Sequence, residues 1–515
     1  MTGTREQSGP DRTYYGWQQE KVAFIFGMSG RRALALGAAV LAAIWPLAAA
    51  RPADGAVCWP AAVVLATVAF ARIGGRTVDE WVIAAGSWQL GAARDQHKFA
   101  AAAFTPPGPG GSASPMDLPG ILAPLRILEA ATGTGEPMAV VHHPHDRTFT
   151  AVARIAFPGI GLADSARRDL RVAGWGALLS GLCAEGQPIS RVQALQRLVP
   201  ESGAALRRWH ADHLDPDAPQ AAAAVTSMLL ATATLATSQR DAYLAFTLDA
   251  RRAGQPIRAA GGGAAGASMV LARHLRTLTS AAASADLHIE AWLAPRELAE
   301  VLRTAFDPHA APGLAERRAA AASAAAAGLN PPALPGVSPA LAGPAAAEAR
   351  PGRYVHDGAV SAAYWVHDWP RSQVYSTVLA PLLGEGSYRR SLSVHIEPLP
   401  PRAAERDVMR ERTARHVAIR MRQRTGQIVP EHEQAALERA RVQDAERAAG
   451  HGLVRLTAYT VTTVTEPADL EDACAALEAD AAAARLEIRR MWFAQDIGFA
   501  LGALPLGMGL PRKRW

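Results

Sequence analysis

Two uncharged apolar stretches near the N-terminus constrain the fold of this chain most. Residues 33–50 read ALALGAAVLAAIWPLAAA and residues 56–71 read AVCWPAAVVLATVAFA, separated by the loop Arg51-Pro-Ala-Asp-Gly55. Each stretch is slightly shorter than the ~20 residues that a helix needs to cross a ~30 Å hydrocarbon layer. Because a backbone in lipid must satisfy its own hydrogen bonds, helices are the expected conformation. The sequence therefore predicts a two-helix transmembrane hairpin at residues 33–72.

The residues that flank the two stretches predict the orientation of the hairpin. Arg31 and Arg32 precede the first stretch, Arg72 follows the second, and the loop between them holds a single arginine. Long basic side chains can reach the interface and make up for a short span. Trp45 and Trp59 stand near the loop, at the depth expected for the membrane interface. The positive-inside rule therefore predicts a multi-pass protein of the inner (cytoplasmic) membrane with both termini inside.

Two alternatives to a membrane hairpin remain open. A cleaved signal peptide fits poorly, because the second apolar stretch follows the first immediately. A buried helical hairpin of a soluble protein is the other alternative, since alanine-rich stretches are only moderately hydrophobic.

The remainder of the chain predicts an α+β protein in several segments. Short strand-like runs alternate with longer helical ones, which is typical of strand–helix–strand units with helices on one face of a sheet. Residues 402–450 form a long charged helical excursion that is broken at Gly426–Pro430, so two antiparallel helices are expected. The expected segments are a cytoplasmic N-terminal arm (1–32), the hairpin (33–72), an amphipathic juxtamembrane helix (73–104), a linker (105–119), a first α+β cytosolic domain (120–309), an Ala/Pro-rich linker (310–350) and a second α+β cytosolic domain (351–515).

Composition and cysteine usage exclude several functional classes. The net charge is +6 without a long run of like charges, so the sequence does not predict sequence-specific binding of nucleic acid. The three cysteines, Cys58, Cys183 and Cys474, are scattered and have no metal-ligand spacing. Their odd number argues against an oxidising compartment.

No motif in the sequence predicts catalysis, a metal site or a cofactor. The His142-His-Pro-His145 cluster cannot place three imidazoles on one face of a regular element, and a polar turn is expected there. Trp209-His210 with His213 lacks a third ligand. Residues 261–268 read GGGAAGAS and fit a phosphate-binding loop, except that Ala267 replaces the lysine that would contact phosphate. We therefore expect a non-enzymatic protein without cofactors.

The C-terminal third resembles a known family. A strand at Tyr388–His395, the charged helical excursion, a strand at 453–464, a helix at 469–484 and the segment Met491–Gly507 together look like the N-terminal, non-motor region of the TraC/TrbE-type conjugation ATPases. In that family the equivalent of Met491–Gly507 leads into the motor domain. Only eight residues follow Gly507, so no motor domain is expected.

Further resemblances concern the N-terminal part. The hairpin is similar in kind to the small PrgI-type membrane subunit that accompanies such ATPases. The opening Tyr15-Gly-Trp-Gln-Gln-Glu-Lys resembles that of a family of actinobacterial membrane proteins from integrative and conjugative elements. The plan of a membrane hairpin followed by a cytosolic domain is also similar to EccE of type VII secretion.

These resemblances imply a non-enzymatic inner-membrane subunit of a type IV-like conjugation or secretion apparatus. Its role would be to dock a separate motor ATPase within a homo- or hetero-oligomeric complex. Because the family's equivalent segment is the junction with the motor, the candidate docking residues are Phe493, Phe499, Leu504, Pro505 and Leu506. The alternatives are a type VII, EccE-like translocon component and a membrane-tethered regulator or nucleotide sensor that uses the glycine-rich loop.

Overall fold

The computed structural model describes most of the chain. The described residues are 30–73, 76–101, 116–132, 135–156, 164–200, 210, 213–215, 218–233, 238–284, 286–330, 334–370, 372, 374–384, 386, 388–424, 426 and 428–509. The predicted N-terminal arm up to residue 29 and most of the predicted linker at 105–119 lie outside these ranges.

Helices and strands alternate along the described residues. The helices are α1 (Gly30–Ala48), α2 (Gly55–Phe70), α3 (Val78–Ala92), α4 (Ser165–Leu182), α5 (Gln220–Ala233), α6 (Gly254–Ala259), α7 (Gly263–Ser284), α8 (Pro295–Phe306), α9 (Ala310–Ala326), α10 (Ala380–Leu383), α11 (Pro401–Arg424), α12 (Glu431–Ala448), α13 (Leu470–Ala483) and α14 (Gln495–Ala503). The strands are β1 (Arg72–Ile73), β2 (Arg76–Thr77), β3 (Lys98–Ala100), β4 (Arg126–Ala131), β5 (Pro137–His143), β6 (Thr148–Ala156), β7 (Ile189–Pro200), β8 (Ser238–Asp249), β9 (His288–Trp292), β10 (Ala346–Ala349), β11 (Tyr354–His356), β12 (Ala359–Asp368), β13 (Arg389–Leu399), β14 (Leu453–Val464) and β15 (Glu487–Arg490).

A 13-stranded antiparallel sheet organises the fold. Its order is β3-β10-β11-β12-β14-β13-β7-β8-β6-β5-β4, with β15 paired to β12 and β9 paired to β6. The short β1–β2 pair forms a separate two-stranded ribbon. The sheet therefore runs through both predicted α+β domains, and β7 and β13 are the strands that join them.

The two halves of the sheet repeat one pattern. In the first half, β6 pairs with β8 on one side. On its other side, the first residues of β6 pair with β5 and its last residues pair with β9. In the second half, β12 pairs with β14 on one side. On its other side, the first residues of β12 pair with β11 and its last residues pair with β15. A helix follows the last strand of each set, α8 after β9 and α14 after β15. The halves meet edge to edge at β7 and β13, so their order is mirrored about that junction.

Helices cover both faces of the sheet, whereas the sequence predicted helices on one face only. Alternate residues of a strand point to opposite faces, and Val140 and Val141 on β5 accordingly belong to different cores. Val140 packs with α4 and α7, and α13 covers the same face in the second half. Val141 packs with α8 and α14 on the opposite face. The architecture is thus an α+β protein with three layers.

The segment after α14 closes the junction between the halves. The backbone N–H of Gly507 donates to the side-chain oxygen of Gln193 at 2.7 Å, and the Gln193 amide donates to the carbonyl of Leu504 at 2.8 Å and to Ser393 Oγ at 2.9 Å. Gly507 has φ +60°, and a Cβ there would lie 2.2 Å from Thr247 Oγ1. Only glycine therefore permits this close approach of the C-terminal segment to the sheet.

The predicted transmembrane hairpin is wrong. Both segments are helices that pack on each other, but α2 has 16 residues. At ~1.5 Å per residue it extends about 24 Å, short of a ~30 Å hydrocarbon layer. Within the described ranges, no helix combines the length and the apolar character needed to cross a bilayer. The same finding overturns the prediction of a multi-pass protein of the inner membrane.

The secondary structure of the segments on either side of the first predicted domain differs from expectation. The predicted juxtamembrane helix at 73–104 contains α3 and then β3, which pairs with β10 at one edge of the sheet. The predicted linker at 310–350 contains α9 and β10, and Leu314 and Ala321 of α9 are buried.

The two antiparallel charged helices are confirmed as α11 and α12, with Arg412 paired to Asp444 at 2.8 Å.

Replacement of a buried phenylalanine in α14 tests the core beneath this helix. Phe499 is 1 % exposed, and its ring lies 5.1 Å from that of Phe306 and 5.2 Å from that of Tyr354. Phe499→Ala should lower the free energy of unfolding by ~3–5 kcal/mol, since it leaves a cavity. Phe70→Ala, at a position 61 % exposed, should change it by less than ~0.5 kcal/mol in urea unfolding. Equal effects of the two substitutions would contradict the packing of α14.

Two buried histidines make stability depend on pH. Burial lowers the pKa of His356 and of His395 to about 4 from the ordinary 6.5. The unfolded chain therefore binds protons more tightly, and stability is lost as the pH falls from 6.5 towards 4. Between pH 7 and pH 5 the free energy of unfolding should fall by ~2 kcal/mol for each of them. In urea titrations, His395→Gln should reduce this loss by ~2 kcal/mol, whereas His451→Gln, at an exposed position, should leave it unchanged.

Candidate docking surface

The α1–α2 hairpin presents large apolar side chains to solvent. Leu34 is 76 % exposed, Leu41 72 %, Leu47 73 % and Val57 74 %. Soluble proteins rarely expose a contiguous apolar patch of more than a few hundred Å², and larger patches mark interaction sites. This surface is therefore the main candidate functional site among the described residues.

Small residues form the contact between the two helices. Ala39 of α1 is 5 % and Ala62 of α2 is 9 % exposed, and Gly55 is buried beside the ring of Trp59 in its own helix. The Trp59 indole N–H donates to the carbonyl of Ala43 at 3.3 Å, which ties the start of α2 to α1. The hairpin is thus inverted relative to the sheet cores, with small residues inside and large apolar residues outside.

Aromatic contacts join the hairpin to the sheet through α3. Thr77 and Glu80 form a capping box that begins α3 immediately after the β1–β2 ribbon. The ring of Trp81 lies 6.2 Å from that of Trp492 and 5.9 Å from that of Phe493. Trp88 lies 5.9 Å from the same Phe493 ring. Because β3 then pairs with β10, the hairpin is held at one edge of the sheet rather than over its centre.

The residues predicted to flank a membrane fall on or beside this hairpin. Trp45 is 59 % and Trp59 49 % exposed, so both contribute to the apolar surface. Arg31 and Arg32 lie at the start of α1 and Arg72 lies in β1, but their side chains are outside the described part of the structure.

The predicted docking residues of the C-terminal segment are not at the surface. Phe499, Leu504 and Leu506 are 1 %, 0 % and 2 % exposed, and Pro505 is also buried. Phe493 is half-buried between the tryptophans of α3 and has φ +62°. These side chains pack on the chain's own sheet and on α3. The exposed apolar surface lies instead on α1 and α2, which the sequence predicted to contact lipid.

The histidine clusters have structural roles. The ring of His142 stacks on that of Phe149 at 4.5 Å, and burial, followed by the charge of Arg126, lowers its pKa. His143 Nδ1 accepts the backbone N–H of Asp146 at 3.1 Å, which forms the expected turn. Trp209 lies outside the described ranges, and the exposed His213 lies one turn from His210. Across the described residues, no group of three His, Cys, Asp or Glu side chains could hold a metal ion.

The glycine-rich segment is a turn between two helices. It follows α6 rather than a strand, and Gly261, Gly262 and Gly263 all have positive φ. A Cβ at Gly266 would lie 2.7 Å from the carbonyl of Ile257, so the glycine permits close packing of α6 on α7. Ala267, which stands at the lysine position of a phosphate loop, is 1 % exposed and points into the core. The segment therefore lacks the geometry of a nucleotide site.

A lysine placed in this segment tests that conclusion. Ala267→Lys should lower the free energy of unfolding by several kcal/mol, because it buries an ammonium group without a partner (~2 kcal/mol or more). Ala265→Lys, at an exposed position of the same turn, should stay within ~0.5 kcal/mol of the wild type. Neither variant should hydrolyse ATP in a coupled assay. ATP turnover by Ala267→Lys would contradict the assignment of a structural turn.

No protein-family model matches the chain, and comparison with curated proteins finds no match.

Proposed function

We propose that this chain is a non-enzymatic assembly subunit of a type IV-like conjugation or secretion apparatus, which binds a separate motor ATPase through the α1–α2 hairpin. The observation that carries the proposal is the inverted packing of the hairpin. Its large apolar residues face solvent, whereas Ala39 of α1 and Ala62 of α2 are buried. An exposed apolar surface of this kind marks an interaction site.

The exposed side chains can supply the free energy of a specific complex. Full burial of an aliphatic side chain contributes ~1.5–3 kcal/mol. Leu34, Leu41, Leu47 and Val57 are about three-quarters exposed, so together they would contribute roughly 4–9 kcal/mol. Association costs ~4–15 kcal/mol, so a stable complex requires that most of the hairpin be covered. A partner with an apolar groove that accepts two helices satisfies this requirement.

The resemblance of the C-terminal third to the non-motor region of conjugation ATPases supports a motor ATPase as the partner. The buried C-terminal segment leaves the hairpin as the exposed apolar surface that such a partner would contact. The hairpin is joined to the sheet by the aromatic cluster of Trp81, Trp88 and Phe493, which gives the complex a rigid base.

Charged substitutions on the hairpin test this proposal. Leu41→Glu with Val63→Glu changes two residues that are 72 % and 65 % exposed, and glutamate is compatible with a helix. Co-purification with the motor ATPase encoded in the same gene cluster should fall at least ~10-fold, equivalent to ~1.4 kcal/mol. Ile428→Glu is the matched control, since Ile428 is 90 % exposed in the turn between α11 and α12. This control should retain the ATPase at the wild-type level.

Three results would contradict the proposal. The first is retention of the ATPase by the double variant with unchanged circular dichroism. The second is self-association of the wild type through the hairpin without any ATPase, measured by sedimentation. The third is recovery of the wild type, but not the double variant, with lipid vesicles alone.

A further inference from the structure

A cavity of ≈ 990 Å³ lies at one end of the sheet, where the halves meet. The ends of β6, β7 and β8 form its floor, and α8 and α9 form one wall. The opposite wall comes from the second half, through residues 376–384 and Arg389 at the start of β13. Its volume lies at the upper end of the ~300–1,000 Å³ range typical of small-molecule sites.

Positive charge predominates in the lining of this cavity. Five arginines line it, Arg154, Arg197, Arg240, Arg318 and Arg389. Three carboxylates line it, Asp241, Glu290 and Glu300. The formal charge of the lining is therefore +2.

Two of the five arginines are neutralised within the cavity wall. Arg197 is 7 % exposed and pairs with Asp241 at 3.1 Å, and it also donates to the carbonyl of Val301 at 2.9 Å. Arg318 pairs with Glu300. Arg154, Arg240 and Arg389 form no ion pair with any residue that the structure describes, and Glu290 is the single lining carboxylate left to offset them.

Arg389 forms no ion pair with a described residue, although the charges of Asp241 and Asp307 oppose the lowering of its pKa. It is partly buried, and its guanidinium donates to the carbonyl of Thr304 at 2.8 Å. Burial, and then the charge of nearby Arg197, lower its pKa to about 10. Two like charges held close together in a poorly solvated site favour occupancy by an anion.

The rest of the lining fits an organic anion rather than a bare ion. Leu379, Leu383 and Val301 supply apolar surface, whereas the hydroxyl groups of Ser376 and Thr377 supply hydrogen-bonding groups on the same wall. A lining that combines charged groups, hydroxyl groups and apolar side chains can contact both the charged and the apolar parts of one small molecule.

We propose that this cavity binds a phosphate-bearing small molecule, with its phosphate group beside Arg389. A phosphate monoester carries a charge near −2 at neutral pH, which matches the +2 lining. The planar guanidinium fork suits bidentate contact with phosphate oxygens. The proposal is independent of the docking function, because the hairpin contributes no residue to the cavity.

Isothermal titration of the full-length protein tests the proposal. Pyrophosphate and ADP are the probes, with adenosine and citrate as the controls for the phosphate group and for charge. Either phosphate probe should bind saturably with one site per chain, and adenosine should not bind. Citrate should bind at least ~10-fold more weakly, a difference of ~1.4 kcal/mol.

Three variants locate the binding to the cavity. Arg389→Met should weaken binding of the phosphate probe at least 10-fold. Ala380→Trp, which fills the cavity from its rim without removing a charge, should do the same. Arg420→Met, which removes an exposed arginine of α11 outside the cavity, should bind as the wild type does.

Several outcomes would overturn the site. These are absence of saturable binding of both phosphate probes to the wild type, wild-type affinity in Arg389→Met and Ala380→Trp, or equal affinity for citrate. Thermal melting of each variant, together with its circular dichroism, shows whether a loss of binding reflects unfolding. If Arg389→Met does not fold, Ala380→Trp decides alone.

Discussion

The buried amide of Gln193 is the contact on which the rest of the structure depends. It lies on β7 at the junction of the two halves and is 1 % exposed. A buried amide is costly unless its hydrogen bonds are satisfied. Ser393 of the other half and the backbone of Leu504 and Gly507 supply the partners. One side chain therefore binds the first half, the second half and the C-terminal segment together.

Closure of this junction determines which surfaces remain free. The segment after α14 must cover β7 and β13 to satisfy the hydrogen bonds of Gln193, and this position buries Leu504 and Leu506. Trp81 and Trp88 of α3, the helix that follows the hairpin, pack on Phe493, whereas the outer faces of the hairpin are exposed. Large apolar side chains of the hairpin are thus exposed, whereas those of the C-terminal segment are buried.

The same junction creates the arginine-lined cavity. Arg197 comes from the first half and Arg389 from the second, and antiparallel pairing of β7 with β13 brings the two strand ends together. The Gln193 amide is hydrogen-bonded through both its nitrogen and its oxygen, whereas Arg389 forms no ion pair with a described residue. Within one strand pair, the first site stabilises the fold and the second retains the capacity to bind a ligand.

Local patterns in the sequence determined the helices and most strands. The charged excursion forms two helices, as predicted, because its break contains Gly426 and Pro430. Strand β7 was not predicted, since Ile189, Val192, Leu195 and Leu198 recur every third residue, a spacing closer to a helix than to a strand. Only the tertiary structure decided this strand, the burial of Phe499 and the environment of the hairpin. Those outcomes depend on partners more than 100 residues away, and a local pattern carries no information about which distant surface will cover it.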